Sequence, residues 1–303
     1  MVLIKNTWEW MAKVGPLKYW ARMISRQFVK RVRRRDLRLK LPNDQIVILP
    51  ASSAFSSVAW VTGGEVDDGF EVLLRMLGEQ GTAFFDVGAH FGFYCSFLGD
   101  RHMPVVAFEP DARTLPALRR NLEPIPHSKC IAAAVSDRCG VIQFASDVSS
   151  PQSRILSEGE EALNKSVTTV PVTTIDQVWQ DLLRPRVGVM KIDTEGHEEL
   201  VIQGARSMIA ACRPLLLVEA SSKSMAPHVA WLESLGYCAL TLSKRHCAQT
   251  QTVQVFPTLD ISGNFEEGMI LFVSDHGRAS KSWADVVAGR CNLTLSAGNW
   301  NSR

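Results

Sequence analysis

Apolar residues along the chain follow two alternating rhythms. Short, largely apolar runs recur at Thr82–Phe85, Val105–Phe108, Cys130–Val135, Val187–Ile192 and Leu215–Val218. Such runs suit strands buried on both faces of a parallel sheet. Between them, apolar residues recur at steps of three and four. Phe91–Leu98 reads as one helix, Leu115, Leu118 and Leu122 mark the face of a second, and Val201, Ala205, Met208, Ile209 and Cys212 mark a third that starts near Gly196 and stops at Arg213-Pro214. Pro116 conflicts with the second helix unless it lies in the first turn. Further helices are expected over Gly69–Gly78 and Val229–Leu235, and further strands near Cys238–Leu242 and Met269–Val273. Strands alternating with helices predict one mostly parallel sheet with right-handed crossovers. Two stretches break the rhythm. Leu37–Val61 is strand-like around a Pro42-Asn43-Asp44 turn, and residues 141–175 alternate apolar and polar as an inserted antiparallel piece with a loop.

The amino-terminal segment has its own pattern. From Pro16 to about Arg35, Val14, Leu17, Ala21, Ile24, Phe28 and Val32 form one stripe ringed by Lys and Arg, which predicts an amphipathic helix. Residues 1–40 hold 12 Lys/Arg against 2 Asp/Glu, whereas the whole chain has a formal net charge of only +2. With Trp8, Trp10 and Trp20, this arm has the makings of an interfacial helix on an anionic membrane surface. The alternative is that its stripe docks on the acidic body. The arm lacks the stacked aromatics of a nucleic-acid reader, so no nucleic acid is expected.

Composition excludes more than it identifies. The 303 residues suffice for one large core. No apolar run reaches the roughly 20 residues of a bilayer span, and no signal-peptide pattern is visible. The seven cysteines are scattered without a CxxC pair, so neither zinc nor a disulfide framework is indicated. Reduced thiols and a cytoplasmic location are expected, with the arm peripheral to the inner face of the membrane.

The chemistry concentrates in two places. In Phe85-Asp86-Val87-Gly88-Ala89-His90-Phe91-Gly92-Phe93-Tyr94, an acidic residue ends a strand, a glycine turn follows, and a helix begins. Glu109 ends the next strand 23 positions after Asp86, where a carboxylate can accept both hydroxyls of a ribose. The spacing is G-x-x-x-G, and His90 stands where a dinucleotide fingerprint has its middle glycine. That argues against a pyrophosphate over the turn and for a cofactor with a ribose but no phosphate, of which S-adenosylmethionine is the common one. The second place is Lys191-Ile192-Asp193-Thr194-Glu195-Gly196-His197-Glu198, with five ionisable side chains at a strand end. Lys191 inside a buried strand needs a carboxylate partner: Asp193, Asp86 or Glu195. Asp86, Glu109, Asp137, Asp193 and Glu219 all lie at strand ends, where open α/β sheets bind ligands. Helix capping is the other use for any one of them. No metal is demanded, although Asp193 with Glu195 could hold Mg²⁺.

FDVGAHFGFY, AFEP, AVSD, and KIDTEGHEELVIQGA followed by LLLVEA together resemble the FkbM family of S-adenosylmethionine-dependent methyltransferases, over roughly Leu41 to Asp275. His90 departs from the family's more frequent asparagine. The resemblance implies a class I methyltransferase fold: a Rossmann-like, seven-stranded, mostly parallel sheet with an antiparallel last strand. Here a small β element and the amino-terminal helix would precede it. It implies O-methylation of a hydroxyl on a sugar, glycan or natural product. It also implies a cofactor site of Asp86, Gly88, Ala89, His90, Gly92, Tyr94, Glu109 and Pro110, with Ser136 and Asp137 beside the adenine. For catalysis, Glu195 and His197 are candidate bases, and Asp193 and Lys191 candidate positioning residues. The expected organisation is an arm over 1–40, the methyltransferase domain over 41–275 and a tail over 276–303. An NAD-dependent oxidoreductase and a catalytically inactive binding module are the alternatives.

Overall fold

The computed structural model describes residues 11, 14–29, 35–67, 69–146, 153–155, 166–220, 222–243, 252–256, 268–278 and 283. The amino-terminal part runs helix α1 (Pro16–Phe28), the hairpin β1 (Leu37–Lys40) and β2 (Ile46–Leu49), then α2 (Phe55–Thr62) and α3 (Phe70–Leu77). The first βαβ units follow: β3 (Ala83–Val87), α4 (Phe93–Leu98), β4 (Val105–Phe108), α5 (Leu115–Leu122) and β5 (Lys129–Ile131). Next come β6 (Ala134–Val135), β7 (Gly140–Ser146), β8 (Arg154–Ile155), β9 (Ser166–Thr173) and α6 (Ile175–Asp181). The second half holds β10 (Val187–Ile192), α7 (Glu198–Gln203), α8 (Arg206–Cys212), β11 (Leu215–Ala220) and α9 (Ser222–Ser234). It closes with β12 (Cys238–Ser243), β13 (Thr252–Phe256), β14 (Gly268–Val273) and α10 (Asp275–Arg278).

The main sheet has the order β13-β12-β14-β11-β10-β3-β4-β5. Strands β11, β10, β3, β4 and β5 are mutually parallel, and β14 runs antiparallel to both β11 and β12. These are the seven strands expected, with β13 added at the edge as an eighth, paired antiparallel to β12. The chain moves outward from β3 to β5 and returns to β10 on the other side of β3. Strand order therefore reverses between β3 and β10, which opens a crevice at their carboxyl ends.

Every residue of β3 and β4 is buried, and alternate side chains feed two apolar layers. Phe84, Val105, Ala107 and Val189 join the layer under α3, α4 and α5, whereas Phe85, Val87, Val106 and Met190 join the layer under α6, α7 and α8. Each buried phenylalanine contributes about 1.5–3 kcal/mol relative to exposure. The same alternation puts Asp86 and Lys191 on one face, paired in register across β3 and β10.

Several expectations change. Residues 55–62 form a helix, not a strand, and it is capped by Gly63 in the left-handed region. The run Cys130–Val135 is split between β5 and β6, which belong to different sheets. The antiparallel insertion exists as the small sheet β6-β9-β7-β8. The long helix after Gly196 is two, α7 and α8, broken at Gly204-Ala205, where Asp176 accepts from the backbone N–H groups of Ser207 and Met208. Helix α9 starts earlier than expected and carries Pro227 inside it. Pro116 does sit in the first turn of α5. The 1–40 boundary falls within the β1–β2 hairpin. Trp8, Trp10, Val32, Cys247, Cys291 and most of the tail lie outside the described residues.

Candidate functional site

A cavity of about 360 Å³ opens at the carboxyl ends of β3, β4 and β10, where strand order reverses. Its floor is Asp86, the Val87–His90 turn, Phe108–Asp111, Lys191 and Asp193–Glu195. Ala133–Val135, Phe144 and Ile155 of the small sheet form one wall, and Ala54, Phe55 and Val58 at α2 form the opposite one. Phe93, Tyr94, Asp67, Ser153 and Glu219 complete the lining.

The glycine turn is fixed by backbone. Gly88, His90 and Gly92 all have positive φ (77°, 50° and 84°). The N–H groups of Gly88 and Ala89 both donate to the Phe108 carbonyl, at 3.1 and 3.0 Å. Glu109 is pinned at the turn: one carboxylate oxygen accepts from the His90 N–H at 2.8 Å and the other from the Asp111 N–H at 2.8 Å. Each oxygen keeps a second lone pair for a ligand. Burial pushes Glu109 up to about 7 despite those two bonds. Burial also pushes His90 down to about 4, which keeps it neutral.

Asp86 is 1% exposed. Its Oδ2 accepts from the Cys95 thiol at 3.1 Å, while Oδ1 has no hydrogen-bond partner among the described residues. Burial raises its pKa, and Lys191 opposes that rise. Of the three partners possible for Lys191, the structure selects Asp193, at 2.7 Å. The ammonium also lies 5.1 Å from the centre of the Tyr94 ring. Burial acts to lower the lysine pKa, but Asp193 and then Asp86 outweigh it and hold the side chain charged.

The segment after β10 is a clasped loop. Glu198 is buried, and its Oε1 accepts from the N–H and Oγ1 of Thr194 (2.9 and 3.0 Å) and from the Gly196 N–H (3.1 Å). That clasp holds Glu195 at φ 57°, a left-handed conformation in a residue that is not glycine. Such a conformation costs about 1–3 kcal/mol and concentrates at functional sites. Carboxylate oxygens of Asp193, Glu195 and Glu219 converge within 4.8 Å of one another. Glu219 is pushed up to about 9 by burial, by its hydrogen bond to Asp193 and by the charges of Asp193 and Glu195. Asp193 stays low: burial would raise it, but Lys191 and the proton offered by Glu219 hold it ionised. One lysine and one shared proton thus offset two of the cluster's three carboxylate charges. Its three oxygens could also receive a divalent cation.

The structure brings Asp86, Gly88, Ala89, His90, Tyr94, Glu109, Pro110, Lys191, Asp193 and Glu195 to one cavity. Gly92 lies beneath it against Leu118. Ser136 and Asp137 stand just beyond the lining residue Val135. His197 is not among the lining residues. Its Nε2 lies 2.9 Å from Ser136 Oγ, which itself donates to Asp137 at 3.0 Å. The hydroxyl has one proton and gives it to Asp137, so Nε2 must carry the hydrogen of the other bond. The structure thus places His197 against the β6 end, apart from the other candidate residues in the cavity. The α2 wall is not legible in the sequence, because Phe55–Thr62 reads as part of a strand-like stretch, and neither is Asp67, whose Oδ2 accepts from the Tyr94 hydroxyl at 2.6 Å.

Residues 86–238 match the methyltransferase FkbM domain. A stretch of 140 residues is 26% identical to the hexuronic acid methyltransferase AglP of Haloferax volcanii, covering 45% of this chain and 56% of that protein. The chain thus spans little more than half the length of that curated relative. Among solved structures, methyltransferase FkbM from Methylobacillus flagellatus KT is 18% identical with a TM-score of 0.38, covering 63% of this chain and 43% of that one. Fibrillarin from Aeropyrum pernix, solved with bound S-adenosyl-L-methionine, is 13% identical with a TM-score of 0.37, covering 69% of this chain and 76% of that one.

Proposed function

Since the chain belongs to the methyltransferase FkbM family, we propose that it transfers a methyl group from S-adenosylmethionine to a hydroxyl oxygen of a sugar or glycan. The observation that carries the reading is Glu109, held by two backbone N–H groups beside the glycine turn with lone pairs left for ribose hydroxyls. The orphaned Oδ1 of Asp86 is a second acceptor the cofactor would satisfy. S-adenosylmethionine supplies an electrophilic methyl on a sulfonium. Ser136 and Asp137 are proposed beside the adenine, and Lys191 and Asp193 as positioning residues. Glu195 would take the proton of the acceptor hydroxyl, since it is held against the cavity by the Glu198 clasp. The sugar acceptor draws support from the hexuronic acid named for the Haloferax relative, and a natural-product hydroxyl is the other acceptor class. An anionic membrane surface is proposed as the partner of residues 1–40, with the enzyme cytoplasmic and peripheral.

The test is transfer of labelled methyl to uronic-acid-containing and neutral glycans, followed by mild alkali. An ether methyl survives alkali, whereas a methyl ester is lost. Stable label supports the hydroxyl acceptor. Alkali-labile label would place the methyl on a carboxylate, which needs no base, and would end the role assigned to Glu195. Glu195→Gln is expected to lower turnover by about 10²-fold, the lower end for general-base assistance because Asp193 remains beside it. His197→Ala is expected to keep turnover within a few-fold. Loss of turnover in the histidine variant alone would reverse the assignment.

A further inference from the structure

Helix α1 is mounted with the wrong face outward for a soluble protein. Its inner face buries an aromatic and a cation: Tyr19 and Arg26 are 3% and 0% exposed. The Arg26 guanidinium donates to Ser57 Oγ and to the carbonyls of Pro50, Ala51 and Ser53. Arg22 donates to the Val61 carbonyl at 2.9 Å, and the Trp60 indole donates back to the Arg22 carbonyl at 3.1 Å. The helix is thereby bolted to α2 through hydrogen bonds and a buried arginine. On its outer face Leu17 is 88%, Trp20 53%, Ile24 67% and Phe28 50% exposed. Scattered exposed apolar residues are ordinary, but four large ones aligned on a single 13-residue helix mark a surface that is covered in use. Among the described residues, the exposure of Leu17 and Ile24 speaks against the alternative raised by the sequence, that the stripe docks on the body.

Charge says what covers it. Residues 1–40 carry 12 Lys/Arg and 2 Asp/Glu, and within the described part Lys18, Arg35, Arg38 and Lys40 are not buried. A second copy of the chain would bring the same cations face to face across a two-fold interface. An anionic lipid surface is complementary to them, and Trp20 suits the headgroup level. The other side of α2 supplies Phe55 and Val58 to the cavity wall. The α1–α2 pair thus lies between the stripe and the cavity.

We propose that α1 is a rigidly mounted, lipid-facing helix that seats Leu17, Trp20, Ile24 and Phe28 in an anionic leaflet and holds the cavity beside it, so that the enzyme takes its hydroxyl from acceptors carried on lipid. The acceptor part rests on the methyltransferase reading; the lipid contact does not. The test uses the full chain and sedimentation with phosphatidylcholine vesicles, with and without phosphatidylglycerol. Wild type should sediment with the anionic vesicles and release as salt rises. Leu17→Ser with Ile24→Ser should weaken that binding by roughly a hundredfold, about tenfold for each apolar side chain withdrawn from lipid. The double variant should keep the wild-type affinity for S-adenosylhomocysteine and the wild-type melting temperature, because neither residue is packed in the fold. Three results would overturn the proposal. One is a wild type that ignores anionic vesicles at low salt, a test that needs no variant. Another is a double variant that binds them as wild type does. The third is a wild-type dimer that the substitutions turn into monomer, which would make a second copy the occupant. Vesicle binding without any S-adenosylhomocysteine binding would instead retain the lipid contact and remove the methyltransferase reading.

Discussion

Gly88→Val should yield a protein that no longer binds S-adenosylmethionine and melts well below the wild type. Gly88 has φ 77°, a conformation in which a β-branched residue is strongly disfavoured. A Cβ at this position would collide with the backbone carbonyl of Asp193, an atom that cannot swing away as a side-chain tip can. The damage therefore does not come mainly from filling ligand space. It comes from forcing apart the ends of β3 and β10, which the Asp193 N–H now ties to the Val87 carbonyl at 3.1 Å. Left-handed strain and overpacking together should cost roughly 2–5 kcal/mol, a large share of a domain's net stability. Gly196 is the internal control: its φ is 99°, but a Cβ there would meet nothing within 4 Å. Gly196→Ala should therefore cost only about 1 kcal/mol of backbone strain. Thermal melts with and without S-adenosylhomocysteine check both. A Gly88→Val protein with a normal ligand-induced shift would show that β3 and β10 do not need their present approach.

Lys191→Met should destabilise the fold by about 3–5 kcal/mol, the scale for breaking a buried ion pair from one side. Lys191 is 3% exposed and sits opposite Asp86 while bonding Asp193. Its removal leaves Asp86, Asp193 and Glu219 together without a cation. The loss of stability with rising pH, which the raised pKa values of Glu109 and Glu219 already give the wild type, becomes steeper. In the wild type, the raised pKa of Lys191 contributes stability fully present below its ordinary value of 10.5 and lost only above it. The lowered pKa of Asp193 contributes stability that is present above 3.8 and lost in acid. In the variant, Asp193 and Asp86 would both have raised pKa values, so the protonated forms favour the fold and stability falls as pH rises through neutrality. Urea unfolding at about pH 6 and about pH 8 should find a larger loss on going to the higher pH in the variant than in the wild type. Equal stability of variant and wild type at both would mean that solvent, not Lys191, compensates the cluster.

Much of this is legible in the sequence because the signals are local. Apolar runs such as Phe84-Phe85 and Val105–Phe108 suit strands buried on two faces, and strand-end acids followed by glycine locate the cavity. What escapes depends on distant contacts. Phe55–Thr62 carries no strong helical stripe, and its helix is held by packing against α1 on one side and the cavity on the other. The helix over residues 175–181 does have a local start signal, since Thr174 caps the Gln177 N–H, but it is short and begins only where the alternating stretch 141–175 ends. His197 belongs to a cluster by sequence spacing, but the Glu195-Gly196 left-handed turn sends it to Ser136. The orientation of α1 is not legible, because its stripe alone does not say that Arg26 would be the buried residue.

Whether the cavity holds S-adenosylmethionine through Glu109 is tested most directly by calorimetric titration with S-adenosylhomocysteine and with NAD. Glu109 is pushed up to about 7 by burial, so below that pH the empty site holds a proton on it. Ribose hydroxyls donate to the ionised form, so binding must expel the proton, and affinity must rise with pH up to about 7 and then level off. The expected result is S-adenosylhomocysteine binding with this pH profile, a loss of about 1.5–3 kcal/mol in Glu109→Ala, a flat profile in Glu109→Gln, and no heat of binding with NAD. NAD bound more tightly than S-adenosylhomocysteine, or full affinity in Glu109→Ala, would contradict it.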